Sequence, residues 1–213
     1  MNDFVTITCD RGDRAQFLEH CKWQLSRMTI QPAKSYFIDY PPKSLQKDLV
    51  ERMKVGIDLA KKDGFDKVYV IESDDFYSPD YFERMAFLDC DFVGDDSTTY
   101  FHLKNQGYQY EKHINRASLF TTGFRISAIE KMQWPEPNNV WLDIALWGHA
   151  QRRYKRRFTP SGCIGIKHSV GLTGGIGHRE GLYRKFDKDF EWLSQRVDKT
   201  SLEFYMNFNK QYA

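Results

Sequence analysis

The signals of several protein classes are missing from this chain of 213 residues. It contains no apolar run of about 18 residues, the length that a helix needs to cross a membrane. Its start, MNDFVTITCDRGDR, lacks the basic segment and the apolar stretch of a secretory signal. The four cysteines are scattered, without a C-x-x-C pair or the spacing of a zinc finger. We therefore expect free thiols in a reducing cytoplasm and no structural zinc.

Motifs of large enzyme groups are absent as well. The glycine-rich segment GLTGGIG does not follow the G-x-G-x-x-G pattern, and it does not come after the first predicted strand. The chain has no P-loop pattern and no G-x-S-x-G motif. A Rossmann cofactor, a Walker-type ATPase and a serine hydrolase are therefore not predicted.

The composition is that of a globular protein with a sizeable core, since 41% of the residues are hydrophobic and 15% are aromatic. The net charge of +2 is nearly balanced. Acidic residues concentrate between Asp58 and Asp96, whereas the segment QRRYKRR, Gln151–Arg157, is strongly basic. A run of like charges is most often a solvated surface, so the basic segment alone predicts no ligand.

Apolar periodicity predicts alternating strands and helices in the first half of the chain. Phe4–Cys9 alternates as a strand does, and apolar residues then recur at helical spacing from Arg14 to about Arg27. The resulting β-α-β-α-β-α-β order predicts a layered α/β fold, with a mixed, mostly parallel sheet flanked by helices. The other predicted elements of this half are the strand SYFIDY, a helix from Leu45 that ends at Gly64, the strand Val68–Ile71, a helix that begins at Ser78-Pro79 and the strand CDFVGD.

The second half is less regular. The segment STTYFHLKNQGYQYEKHINRASLFTTGFR predicts short strands and loops, and ISAIEKMQW and VWLDIALWGHAQRRY predict helices. A further strand is expected to end at His168, and the tail from Leu182 is expected to be helical. Because no repeat or linker is present, we expect a single compact domain over residues 1–213.

The segment VYVIESDDFYSPDYF places acidic residues directly after a buried strand. Glu72, Asp74 and Asp75 follow Val68–Ile71, at the carboxyl end of a strand, where ligands bind in open α/β sheets. Crowded carboxylates repel one another unless they are solvated or neutralised, and their oxygens suit Mg²⁺ or Mn²⁺. The alternative interpretation is a polar surface turn, because Asp and Ser favour turns.

Two further residues are candidates for chemistry. Asp143 lies among apolar residues in VWLDIALW, and partial burial would raise its pKa and suit it to act as a general base. Such an Asp can equally lie on the polar stripe of an amphipathic helix. His168, at the end of its strand, is either structural or a further metal ligand, which would favour Mn²⁺ over Mg²⁺.

In the order of these pieces the chain resembles glycosyltransferases of the GT-A fold and is similar to the family-2 group. The likeness covers about Phe4 to His168. Two departures are Glu72 in place of the first Asp of the D-x-D motif, and Leu142 where an acid usually precedes the catalytic base. The segments that carry the likeness are TITCDRGDRAQFLEHCKWQLSRMT, RMKVGIDLAKKDGFDKVYVIESDDFYSPDYF and TTGFRISAIEKMQWPEPNNVWLDIALW.

The resemblance implies a metal-dependent enzyme that moves a sugar from a nucleoside-diphosphate sugar to an acceptor hydroxyl, with inversion. Asp143 would be the base, and Asp74, Asp75 and His168 would hold Mn²⁺ or Mg²⁺. The nucleotide-sugar-binding half would span about 1–96, the acceptor-side half about 97–180 and a helical tail 181–213. The residues expected at the donor nucleotide are Thr8, Asp10, Arg11, Asp39, Arg52, Glu72, His178 and Arg179.

The acceptor stays open at this point, as a glycan, a small molecule or a hydroxymethylated base of phage-type DNA. A DNA acceptor would use the basic residues of QRRYKRR on the acceptor side of the site, and aromatic residues as stacking faces. The expected location is a cytoplasm, which for a virus-encoded enzyme is that of the host. Alternatives are a nucleotidyltransferase and a non-enzymatic nucleic-acid-binding module. The aromatic residues considered for stacking are Tyr100, Phe101, Tyr108 and Tyr110.

Overall fold

The predicted alternation of strands and helices is present in the first half of the chain. The computed structural model describes residues 3–12, 14–42, 47–139, 141–170, 183 and 185–212. The strands are β1 (Phe4–Cys9), β2 (Lys34–Ile38), β3 (Lys67–Ile71), β4 (Phe92–Gly94), β5 (Ser97–His102), β6 (Gly107–Lys112), β7 (Thr122–Arg125), β8 (Arg156–Phe158), β9 (Ile164–Lys167) and β10 (Lys185–Phe186). The helices are α1 (Ala15–Ser26), α2 (Leu49–Lys62), α3 (Tyr81–Arg84), α4 (Ile126–Ile129), α5 (Leu142–Arg153), α6 (Glu191–Ser194) and α7 (Lys199–Tyr212).

A six-stranded sheet confirms the predicted α/β class. Its strand order is β2-β1-β3-β7-β4-β8. Strand β1 pairs in parallel with β2 and β3, and β4 pairs in parallel with β8. Strand β7 is antiparallel to both of its neighbours, β3 and β4, which makes the sheet mixed. Four of the five residues of β3 are buried, as expected for a central strand covered on both faces.

A second sheet, in the order β10-β6-β5-β9, contains strands from the second half of the chain. Strand β9 runs parallel to β5, and an isolated bridge between Phe76 and Ile164 joins β9 to the loop after β3. Because β7 and β8 belong to the same six-stranded sheet as β1 to β4, the two predicted halves share one sheet. The chain therefore forms one mixed α/β domain.

Several element boundaries differ from the predictions. Helix α2 begins at Leu49 instead of Leu45, and its predicted end is confirmed because Gly64 adopts a φ of +83°. Helix α3 has four residues and begins at Tyr81. In the turn before it, Ser78 Oγ donates a hydrogen bond to the carboxylate of Asp80. The Ser78-Pro79 start was therefore wrong by two residues.

Helix α4 is a single turn, although ISAIEKMQW predicted a longer helix. Trp134 precedes Pro135, and a residue in that position is disfavoured in the helical region. Met132 nevertheless packs in the core from irregular backbone. This packing accounts for the helix-like spacing of the apolar residues in ISAIEKMQW.

The core lies between the six-stranded sheet and its helices. Ile7, Val70, Phe124 and Trp147 are buried within one apolar cluster that includes residues of α2 and α5. All four cysteines are free thiols, as the sequence predicted. Among the residues that the structure describes, no helix combines the length and the apolar character needed to cross a membrane.

Candidate functional site

The carboxyl ends of the parallel strands β1, β2 and β3 lie at one edge of the large sheet. Strand β9 ends at the same place, because the backbone N–H of Ile166 donates to Asp75 and His168, which follows β9, lies 3.0 Å from Asp74. We call this loop, Glu72–Asp75, the acidic loop. The N-terminus of α1 also lies here, since α1 follows β1 after a short turn.

Asp74 is held by two side chains that are distant from it in sequence. Nη1 of Arg14 lies 2.7 Å from Asp74 Oδ2, and Nε2 of His168 lies 3.0 Å from the same oxygen. Burial alone would raise the pKa of Asp74, but Arg14 and His168 lower it well below its ordinary value. Asp74 is therefore an ionised carboxylate with a cation already beside it.

The contacts of His168 define which of its ring nitrogens carries the proton. The backbone N–H of Val170 donates to Nδ1 at 3.2 Å, which assigns the proton of the neutral ring to Nε2, 3.0 Å from Asp74 Oδ2; Nη1 of Arg14 also lies 3.1 Å from Nε2. The ring stacks on Phe17, with 4.6 Å between centroids, and packs edge-on against Phe208. These contacts hold the imidazole against the Asp74 carboxylate.

Asp75 anchors the acidic loop to β9 and is fully buried. Its Oδ1 accepts a hydrogen bond of 2.7 Å from the backbone N–H of Ile166 and lies 3.7 Å from Nζ of Lys167. Burial alone would lower the pKa of Lys167, but Asp75, Asp74 and Glu72 raise it well above its ordinary value. Lys167 therefore adds a permanent positive charge beneath the acidic loop.

Glu72 is the member of the acidic loop with the least restrained side chain. Its backbone N–H donates to Tyr77 Oη at 2.9 Å, while its half-buried carboxylate accepts no hydrogen bond from any residue that the structure describes. Burial raises the pKa of Glu72, and the charges of Asp74 and Asp143 raise it further. The charges of Lys167 and Arg14 oppose these shifts.

Asp143 lies in the first turn of α5, where the helix dipole favours a carboxylate. Nη1 of Arg116 lies 2.6 Å from Asp143 Oδ2, and the carboxylate is 12% exposed. Burial raises the pKa of Asp143 although Arg116 opposes this shift. A partly buried carboxylate with a raised pKa and residual access to solvent has the properties of a general base.

Two of the residues expected at the donor nucleotide are buried at the end of β1. Thr8 is fully buried. Asp10 is 1% exposed and uses both carboxylate oxygens internally, accepting 2.7 Å and 2.6 Å hydrogen bonds from Gly12 N–H and Ser73 Oγ. Asp10 thus holds the turn after β1 against the acidic loop.

Arg52 is also internal, with 1% of its surface exposed. Its guanidinium donates to the carbonyl oxygens of Asp10, Ile38 and Tyr40 at 2.7, 2.9 and 2.8 Å. It also donates to the carboxylate of Asp48 at 2.9 Å. These contacts fasten α2 to the carboxyl ends of β1 and β2, so Arg52 is positioned to support the site from beneath.

The other residues expected at the nucleotide lie nearer the surface or beyond the described part of the chain. Arg11 pairs with Asp48 at 2.8 Å. Asp39 is exposed at the end of β2, and its carbonyl oxygen lies close to Gly12, which adopts a φ of +74°. His178 and Arg179 lie outside the residues that the structure describes.

The sequence prediction missed three cations of this site, namely Arg14, Arg116 and Lys167. Arg14 carried a usable signal, because it immediately precedes the helix that follows β1 and so had to lie at the sheet edge where ligands of α/β folds usually bind. Arg116 comes from an irregular segment, where no local pattern indicated its position.

The arrangement does not fit a metal held jointly by Asp74, Asp75 and His168. Asp74 Oδ2 already accepts hydrogen bonds from two side chains. A metal-binding His usually donates its other ring N–H to an acceptor, whereas Nδ1 of His168 faces the N–H of Val170. Asp75 Oδ2 is buried and accepts no hydrogen bond from the part of the chain that the structure describes, but one oxygen is a small part of a Mg²⁺ or Mn²⁺ shell. Within the described ranges, no group of three His, Cys, Asp or Glu side chains has metal-binding geometry.

The basic segment QRRYKRR is divided between several environments, and much of it is directed away from Asp143. Helix α5 places Arg153 about 15 Å along its axis from Asp143. Lys155 pairs with Asp89 at 2.8 Å, and Arg157 donates to backbone carbonyls of α3 and its C-terminal flank. Arg152 and Arg153 instead line an open groove of about 480 Å³ between α5 and the segment after α4.

The aromatic residues considered as stacking faces are mostly internal. Tyr100 and Phe101 are buried. Tyr108 stacks on Trp192 with 4.2 Å between ring centroids, which leaves Tyr110, 57% exposed, as the accessible ring of the group. The idea that the first two stack against bases was therefore wrong, because they belong to the core.

Comparison with known proteins adds little to this geometry. No protein-family model and no curated protein matches the chain. Among solved structures, "Crystal Structure of A197 from STIV" is similar with a TM-score of 0.46 and 15% identity, over 75% of this chain and 82% of that chain. At this level of similarity nothing follows about the activity.

Proposed function

We propose that this chain is a glycosyltransferase that moves a sugar from a nucleoside-diphosphate sugar to an acceptor hydroxyl. The observation that supports it is a cluster of paired charges at one sheet edge, together with a candidate base. The acidic loop, with Arg14 and Lys167, lies where a ligand of an α/β sheet binds, and Asp143 is a mostly buried carboxylate with a raised pKa in the first turn of α5.

These groups have different roles in the proposed sugar transfer. Asp143 takes the proton of the acceptor hydroxyl as its oxygen bonds to the anomeric carbon. The bond from that carbon to the diphosphate oxygen breaks, and the oxygen keeps the electron pair. Arg14 and Lys167 stabilise the negative charge that develops on the diphosphate. A single displacement of this kind inverts the anomeric centre.

The proposal is tested by a thermal-shift screen of nucleoside diphosphates and their sugar conjugates, with and without Mn²⁺. A donor at about 100 times its Kd should raise the melting temperature by ~5–10 °C, because it binds the folded state alone. Free sugars and nucleosides are the controls and should leave it unchanged. If no nucleotide shifts the melting temperature in either condition, the chain is not a nucleotide-sugar transferase.

The groove beside α5 favours an acceptor that carries phosphate. Lys131, Arg152 and Arg153 line it and make no hydrogen bond or ion pair with the described residues. Ile144, the residue after the proposed base in sequence, also lines the groove. A hydroxymethylated base within DNA is one acceptor of this chemistry, and its strand would follow these cations.

We expect Arg152→Ala/Arg153→Ala to weaken DNA binding and to reduce the slope of log affinity against log salt by about 2, because two phosphate contacts are lost. Lys155→Ala is the matched control, since Lys155 pairs with Asp89 away from the groove. A mobility-shift assay over a salt series measures both. Absence of binding by the wild type at low salt would leave a glycan or small-molecule acceptor.

A further inference from the structure

The place that a cation would take at Asp74 is occupied by a side chain of this chain. Nη1 of Arg14 lies 2.7 Å from Asp74 Oδ2, which is the length of a charge-assisted hydrogen bond. A guanidinium stays charged under all ordinary conditions, so Asp74 does not need another cation to remain ionised. Nε2 of His168 lies 3.0 Å from the same oxygen and 3.1 Å from Nη1 of Arg14, so the two side chains reach Asp74 next to each other.

The contacts around His168 make this pair a fixed arrangement. Because Val170 N–H points at Nδ1, the Nε2 proton is directed to Asp74. Coordination of a metal through Nε2 would require that proton to leave and would place the proton of the neutral ring against Val170 N–H. The ring would therefore have to lose two favourable hydrogen bonds to become a ligand.

Arg14 is also well placed to meet an anion. It is the residue that precedes α1, a helix of 12 residues, and its side chain makes no capping hydrogen bond to the backbone N–H groups of the first turn. These N–H groups and the positive end of the helix dipole favour negative charge at this point. The Arg14 side chain is 21% exposed, and a guanidinium fork matches the geometry of phosphate oxygens.

We infer that Arg14 takes the place of the divalent cation in this chain, so that the donor diphosphate binds at Arg14 and the N-terminus of α1 without a metal. This inference rests on the proposed function, because it concerns the same donor. It assigns Asp74 and His168 to the positioning of Arg14. The catalytic proton transfer by Asp143 is unaffected.

The two roles of Asp74 predict opposite results for one variant. If Asp74 were a metal ligand, Asp74→Asn would abolish nucleotide binding that depends on Mn²⁺. If Asp74 positions Arg14, the amide oxygen in Asp74→Asn can still accept the hydrogen bond from Arg14, while a negative charge next to the diphosphate is removed, so the affinity in the absence of metal does not collapse.

The experiment is calorimetric titration with UDP, GDP, CDP, ADP and dTDP, in EDTA and in Mn²⁺. We expect the wild type to bind one of them with similar affinity in both buffers. Arg14→Ala should lower that affinity about 10- to 100-fold, the worth of hydrogen bonds to a charged group, and Arg14→Lys should lower it less. Arg27→Ala, at the other end of α1 and paired with Asp198, is the control and should bind normally.

Loss of folding is separated from loss of binding by thermal melting of each variant and by the double variant Arg14→Ala/Asp74→Asn. The double variant removes both charges, so it should fold normally and still bind poorly if Arg14 contacts the diphosphate. Recovery of wild-type affinity in the double variant would overturn the inference, as would wild-type binding that disappears in EDTA and returns with Mn²⁺. Absence of nucleotide binding in every buffer would instead overturn the proposed function.

Discussion

Replacing Asp143 with asparagine is expected to slow sugar transfer by about 100-fold or more while donor affinity stays nearly unchanged. The amide keeps the size of the carboxylate but cannot accept the proton of the acceptor hydroxyl. The rate is measured at saturating donor and acceptor, and donor affinity by calorimetry. Glu130→Gln is the control, because Glu130 is an exposed acid that pairs with Lys61 on the surface.

The pH profile separates a base from a merely structural Asp143. Burial raises the pKa of Asp143, with Arg116 opposing, and the acid must be ionised to accept a proton. The wild-type rate should therefore fall as the pH drops through that raised pKa, and Asp143→Asn should lose this dependence. Equal rates for the variant and the wild type would show that Asp143 does not act as the base.

Replacing Arg52 with alanine is expected to lower the free energy of unfolding by about 3–5 kcal/mol, as for other broken buried ion pairs. The change removes the donor to the carbonyl oxygens of Asp10 and Tyr40, whereas Ile38 O keeps the N–H of Asp10 and the Asp48 carboxylate keeps Arg11. Urea denaturation gives the free energy, with Lys61→Ala as a surface control that should cost less than about 1 kcal/mol.

Arg52→Lys tests whether Arg52 also contacts the nucleotide. It keeps the charge but loses the planar fork, so we expect an intermediate loss of stability. A Lys variant that folds normally and loses nucleotide affinity would place Arg52 at the donor, against the contacts seen here.

The fold could be predicted where the signal was local. The limits of β1 and the register of α1 follow from alternation and helical spacing in the sequence itself. The insertion of β7 between β3 and β4 could not be found in this way, because it depends on pairing such as Val68 with Phe124. The length of helix α4 was overestimated because Met132 packs in the core without being part of a helix.

In the candidate site, too, local features could be predicted from the sequence and contacts between distant residues could not. The position of the acidic loop followed from the strand that precedes it, but the directions of the side chains did not. Asp10 turns inward because Ser73 and Gly12 donate to it. Arg14 and His168 contact Asp74 from positions 60 and 94 residues away in sequence, and no local sequence pattern predicts such contacts.

The ties between the acidic loop and β9 have a consequence for the order in which the molecule folds. Asp75 and Ile166, which hold the loop in place, are separated by 91 residues. Closing so long a segment costs chain entropy before any contact repays it, so such contacts form late. On the ribosome, β1 to β3 emerge well before β9 and His168 do. The contacts that hold the acidic loop are therefore incomplete until most of the chain has been made, and the candidate site is completed only when the second sheet has formed.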